Sequence, residues 1–276
     1  MGMNRRDLEL LLMLRRNGHI PDRARVVELG AQQLSHDLLA SRELIKEFGE
    51  TFKKSGEPPL PQAQGEAKFD GVEQLLDPDA PMARRMWLWL GLEYAAIDID
   101  GTPDSIPLDL NFDGVPQAEM GKYDVVTNYG TTEHVANQMN ALKIVHDLAA
   151  PEGIMIHNLP CQGNFNHGLL NYSPKFFWML ARSNEYRWLY LDYVDSGISY
   201  ELPQNLMESV RPYQADIEQR MAAYRVSNTA LVVVLQKRRA RPFVPPIDVP
   251  NNTRTSNQNL LRRYPTIFKS ANETGA

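Results

Sequence analysis

Short apolar runs rich in β-branched residues recur along the chain, each stopped by glycine or a polar cluster. Arg25-Val26-Val27-Glu28-Leu29 ends at Gly30, and Tyr94 to Ile99 ends at Asp100-Gly101. Tyr123 to Asn128 and Gly153 to His157 follow. These four do not alternate polar with apolar, which is the pattern of strands buried on both faces of a parallel sheet. Tyr186 to Tyr193 and Ala230 to Gln236 complete the set. No clear helix follows the last pair, so an antiparallel hairpin across the long Ser196–Asn228 segment is expected to close the sheet.

Between the strands the period changes. Leu10 to Leu14 sits in an amphipathic helix interrupted by Asp7 and Glu9, and Leu34 to Phe52 carries Leu38, Leu39, Ile45 and Phe48 among charges. Thr132 to Ala149 spaces Val135, Met139, Leu142, Ile144 and Val145 as a helix does, with Thr131 or Thr132 as its N-cap. Ser173-Pro174 opens another helix, running to Arg182. Strand alternating with helix predicts an α/β fold with a doubly wound, mostly parallel sheet and an antiparallel C-terminal strand.

One interval is too long. Glu28 and Asp98 stand 70 positions apart, about twice what a single crossover helix needs. A helical insertion after the first βα unit, about residues 53–91, accounts for the excess. It holds a Pro/Gly-rich stretch from Ser55 to Ala67 and a helical run from Pro81 through Trp87 and Trp89. A surface insertion and a lid over the ligand cleft are both open readings. The expected division is a main domain over 1–240 and a C-terminal arm over 241–276, the arm being rich in Pro, Asn, Thr and Ser.

Composition narrows the function. Apolar residues at 43% and charged residues at 23% suit a globular protein with a self-sufficient core. With 29 basic against 34 acidic side chains, general nucleic-acid binding is disfavoured. A single cysteine, Cys161, excludes an internal disulfide. The apolar runs are too short for a membrane span of about 20 residues. A cytoplasmic protein acting on a small molecule, with no membrane partner, is the expectation. Eight basic and two acidic residues lie from Lys237 onward. The run Lys237-Arg238-Arg239-Ala240-Arg241 reads as a solvated edge, or as a patch for an anionic substrate or carrier.

The chemistry concentrates where the parallel strands end. Val26-Val27-Glu28-Leu29-Gly30-Ala31-Gln32 is a strand ending in an acid and turning at glycine, so that backbone can approach a ligand at the carboxyl edge. This resembles the first motif of class I S-adenosylmethionine-dependent methyltransferases, with Gln32 and Leu34 where further glycines often stand. Asp98 falls where that family carries the acid for both ribose hydroxyls, Asp100 being its near alternative. Asp109 and Leu110 fall where a side-chain acid and the following backbone amide address adenine. Tyr123 to Asn128, the Glu133-His134-Val135 after it, and Pro151-Glu152-Gly153 resemble the family's fourth strand, next helix start and fifth-strand entry. The resemblance runs in order over residues 22 to 195.

It implies S-adenosylmethionine as cofactor, held by Glu28, Gly30, Ala31, Asp98, Asp109, Leu110, Asn128 and Tyr129, and methyl transfer to oxygen or nitrogen of a small polar metabolite. A dinucleotide cofactor is disfavoured because an acid at the strand end repels a pyrophosphate, and the three-glycine loop is missing. A protein that binds the cofactor without methylating is the alternative, kept open by the incomplete first motif.

For the reacting site, the loops after the fourth and fifth strands supply His134, His167, Asn171 and Tyr172. His167 lies in a glycine-flanked loop, and histidine is the residue type best suited to remove a proton near neutral pH, so it is the candidate base. His134 and Tyr172 are its candidate catalytic companions, with a helix-start, cofactor-contact or metal role also open for His134; Tyr129, Asn171 and Tyr172 are candidate substrate contacts, the tyrosines by cation–π contact with a sulfonium. His157, inside a strand, reads as a core or cleft-floor residue. No metal ion is expected.

Overall fold

The structure is a computed structural model that describes residues 2–61, 80–99, 104–164, 167–195, 227–250 and 252–271. The parallel strands are β1 (Arg25–Leu29), β2 (Glu93–Ile97), β3 (Ser105–Ile106), β4 (Tyr123–Tyr129) and β5 (Ala149–Gln162). With β6 (Arg187–Asp195) and β7 (Thr229–Gln236) they form a seven-stranded sheet in the order β3-β2-β1-β4-β5-β7-β6. Strand β7 runs antiparallel to both β5 and β6, so the expected closing hairpin is present. Its connection over 196–226 lies outside the described residues.

Helix α1 (Arg5–Arg16) is fixed by a capping box, in which the Asn4 side chain accepts from Asp7 N and Asp7 accepts from Asn4 N. With α2 (His36–Ala40), α3 (Arg42–Thr51) and α4 (Arg84–Trp89) it covers one face of the sheet. Alternate side chains Val26, Val125, Ile154, Ile156 and Val234 pack toward that layer. The opposite face carries Val27, Val126, Met155 and Val233 under α5 (Gln138–Leu148) and α6 (Pro174–Asn184). Burial on both sides is what the uninterrupted apolar strands require.

Two helix boundaries differ from expectation. The Leu34–Phe52 stretch is two helices, α2 and α3, meeting at Ser41. The Thr132 region is a single 3-10 turn, and α5 begins at Gln138 with the Asn137 side chain accepting from Asn140 N. Residues 80–90 of the insertion are not a superficial lid. Trp87 is fully buried against Phe48, and the backbone pairs Leu34 N with Pro81 O and Ala83 N with Gln32 O. The remainder, 62–79, lies outside the described residues.

The arm beyond β7 wraps along α6. Asn184 exchanges two side-chain bonds with the Val244 backbone, and Arg182 donates to Ile247 O and Val249 O. It then forms β8 (Thr253–Thr255), α7 (Gln258–Arg263) and β9 (Phe268–Ser270), the two strands pairing in parallel. The basic run is partly structural: Lys237 is buried, and Arg241 pairs with Glu185. Among the described residues no helix is long and apolar enough to cross a membrane.

Candidate active site

The chain steps outward from β1 to β2 and β3, then returns to place β4 on the other side of β1. The crevice at the carboxyl ends of β1 and β4 is therefore the topological switch point, where open α/β sheets hold ligands. A glycine with positive φ stands at each lip: Gly30 at +71° and Gly130 at +72°. A methyl group on Gly30 would come within 2.7 Å of Thr131 Oγ1. Only glycine meets both the left-handed backbone and that approach.

The loop after β1 is stitched to both neighbours. Gly30 N donates to Ile97 O at 2.8 Å, and Ala31 N donates to Asp98 Oδ2 at 2.8 Å. Thr131 Oγ1 donates to Leu29 O at 2.5 Å. Gly30, Ala31 and Asp98 thus come together, half-buried at the crevice, as expected. Asp109 and Leu110 lie on a turn after β3 in which Asp109 Oδ1 accepts from Asn111 N, while Leu110 is buried. Asn140 on α5 donates to Leu110 O and Asp113 O, so this turn is held from the neighbouring helix.

Four other predicted contacts have different work. Glu28 is fully buried: Oε1 accepts from Trp87 Nε1, and Oε2 accepts from Gln32 N and Tyr94 OH. Burial pushes its pKa up to about 7, against the pull of those donors. It closes the loop from beneath and cannot meet a ligand's ammonium group. Asn128 spends its side chain on Thr132 and on His157 Nδ1. Tyr129 packs in the α1 layer with its hydroxyl buried and unpartnered among the described residues. Tyr172 donates to Thr132 Oγ1 and also bonds Gln138, which makes it a latch between the β5 loop and α5. Burial raises both tyrosine pKa values.

His157 is a core residue: Nδ1 faces Asn128 Nδ2 at 3.1 Å, the ring packs on Phe177, and burial lowers its pKa to about 3. The other two histidines do converge. The 3-10 turn Thr132–His134 puts Glu133 inward and His134 outward. The β5 loop folds back on it, with Leu169 N donating to Glu133 O at 2.8 Å and Gly168 seated against the Glu133 side chain. This brings His167 Nε2 to 3.4 Å and His134 Nε2 to 3.9 Å from Glu133 Oε1, with the two rings 5.0 Å apart. Burial lowers the His134 pKa, opposed by Glu133 and reinforced by His167. Asn171 sits on the same loop, its amide donating to Gly163 O. Glu133 is the residue that sequence reasoning left out of the site, although its pairing with His134 is visible in the motif itself.

No protein-family model matches the chain, and no curated protein sequence matches it. Its fold is similar to solved structures of methyltransferases. These include a 1,6-didemethyltoxoflavin-N1-methyltransferase from Burkholderia thailandensis with bound 1,6-didemethyltoxoflavin and S-adenosylhomocysteine. It is 13% identical, with 83% of this chain and 77% of that one covered and a TM-score of 0.40. A SAM-dependent methyltransferase from Archaeoglobus fulgidus is 13% identical, with coverage of 83% and 94% and a TM-score of 0.39. SAM-dependent methyltransferases from Methanosarcina mazei give 7% identity, coverage of 80% and 96%, and a TM-score of 0.37. Likeness at this level carries no functional argument, which rests instead on the chain's own residues.

Proposed function

We propose that this chain is an enzyme that transfers a methyl group from S-adenosylmethionine to an oxygen or nitrogen of a small polar molecule. The observation that carries the reading is the β1–β4 switch point, where the Gly30-Ala31 turn is joined to the acid at the end of β2. When bound, S-adenosylmethionine supplies an activated methyl group on a sulfonium centre. The Gly30 turn offers bare backbone to the cofactor's amino-acid part, and Asp98 offers a carboxylate to the ribose hydroxyls, which are donors it can accept from. The Asp109-Leu110 turn stands beyond β2, on β3's side of the sheet, for the adenine. Glu133, His134, His167 and Asn171 lie past the ends of β4 and β5 and form the polar wall that would hold an acceptor and receive its proton.

One observation favours a second reading, a protein that binds the cofactor without methylating. Glu28 is sealed from ligand, and Gln32 and Leu34 occupy places where further glycines would open the loop.

Calorimetry decides between them in order. S-adenosylhomocysteine should bind and NAD should not, and Asp98→Ala should cost about 2–4 kcal/mol of affinity through lost charge-assisted hydrogen bonds. Normal binding by Asp98→Ala, or preference for NAD, would overturn the cofactor assignment. Incubation with methyl-labelled cofactor and a metabolite extract then reads turnover, and binding with no labelled product selects the second reading.

A further inference from the structure

Glu133 is an anomaly that methyl transfer alone does not explain. Its side chain is fully buried, yet neither carboxylate oxygen accepts a hydrogen bond from any described residue. A buried carboxylate without donors is costly, and such groups are retained where something charged completes them. The only cationic or potentially cationic groups recorded within 4 Å of it among the described residues are the two imidazoles of His134 and His167. Both are reachable from solvent, the side chains being 47% and 34% exposed.

We propose that Glu133, His134 and His167 form a binding site for a divalent transition-metal ion of the zinc class. One oxygen and two imidazole nitrogens lie within 4.8 Å of one another. Ligands about 2.0–2.2 Å from a tetrahedral zinc ion sit roughly 3.3–3.5 Å apart. The Glu133–His167 separation of 3.4 Å already meets that spacing, and the 3.9 Å to His134 needs only a small side-chain turn on an exposed residue. Two imidazoles select zinc-like ions over magnesium or calcium, which prefer all-oxygen shells. The site is also built from behind. Gly168 leaves no room for a Cβ, which would fall 2.7 Å from Glu133 Cγ, and Leu169 N holds the Glu133 carbonyl. The carboxylate is thus held facing the two rings. Three protein ligands leave an open position on the solvent side, as in catalytic rather than structural zinc sites. A hydroxyl or carboxylate oxygen of an acceptor fits there; this role, unlike the ion's binding, rests on the methyl-transfer reading. In the loaded protein His167 is a ligand and not a free base.

The test is zinc binding by the full chain after chelator treatment, measured by competition with a chromophoric chelator, with cobalt as a visible-absorption probe of the ligand set. One ion per chain is expected, with a rise in melting temperature on zinc addition. Glu133→Gln and His167→Asn should each weaken zinc affinity by a hundredfold or more and change the cobalt spectrum. His19→Asn, outside the cluster, should leave both unchanged. If Glu133→Gln does not fold, His167→Asn still decides, because that side chain is partly exposed. Absence of stoichiometric zinc binding, or equal affinity in wild type and His167→Asn, overturns the proposal. S-adenosylhomocysteine binding measured on the same samples separates the two readings. Binding of that ligand without zinc refutes only the metal site, and zinc without that ligand refutes only the cofactor assignment.

Discussion

At Gly30 two costs of any side chain coincide, and they can be pulled apart. The backbone is left-handed at φ +71°, and an added methyl would meet Thr131 Oγ1, the atom that anchors β4's loop to Leu29 O. Gly18 has a similar φ of +79° but open space around it. Gly18→Ala therefore reports conformational strain alone, about 1 kcal/mol. Gly30→Ala should cost about 1–2 kcal/mol more by thermal or urea unfolding and should weaken S-adenosylhomocysteine binding, which Gly18→Ala should not. Equal losses of stability in the two variants would mean that Thr131 yields freely. The residues Gly30, Ala31 and Asp98 were legible in the sequence because turn chemistry and strand ends are local. Glu28 was legible as an acid at a strand end, but not its task. Its partners Trp87 and Tyr94 arrive from 59 and 66 positions away, the first from within the insertion and the second from beyond it.

Among the elements, α5 shows how tertiary contacts displace local signals. Thr131 and Thr132 have the chemistry of N-caps, yet their hydroxyls are taken by Leu29 O and by Asn128 and Tyr172. The capping role passes to Asn137. At the other end, Lys237 reaches in from the end of β7 and donates to His146 O at 2.7 Å and Ala149 O at 2.9 Å. These carbonyls lie at a helix C-terminus, where acceptors lack intrahelical partners and a cation is favoured by the dipole. Lys237→Met keeps the aliphatic bulk and removes both bonds, so it should cost about 2–4 kcal/mol of unfolding free energy. Arg238→Met, one residue on and exposed, should stay within about 0.5 kcal/mol of wild type. A neutral Lys237→Met would mean that water reaches those carbonyls in its place.

At the scale of the whole molecule the sheet was the most legible feature, because burial on both faces writes itself as uninterrupted apolar runs. What escaped was most of the polar interior beneath it: two acids and two histidines have pKa values moved in opposite senses, and of these only His157 reads from the sequence as a core residue. Burial raises Asp7 to about 6 and Glu28 to about 7, and lowers His146 to about 4 and His157 to about 3. The two acids bind more protons in the folded state than unfolded, so their contribution is present at low pH and is lost as pH rises through 6 and 7. The two histidines bind fewer, so stability grows as pH rises from 3 or 4 to the ordinary histidine value of 6.5.

Each group contributes a slope of roughly 1.4 kcal/mol per pH unit within its window. The four windows overlap between about pH 4.5 and 6, where two slopes of each sign cancel. Urea unfolding of the wild type should therefore be nearly independent of pH there as far as these groups decide it. Asp7→Asn removes one falling slope and should make stability rise by about 2 kcal/mol across the interval. His157→Gln keeps an acceptor for Asn128 but removes one rising slope, so its stability should fall by a similar amount over the same range. Opposite tilts in the two variants are the signature of the balance. Two curves parallel to wild type would show that Asp7 and His157 titrate at their ordinary values, and that the interior is wetter than the packing around them implies.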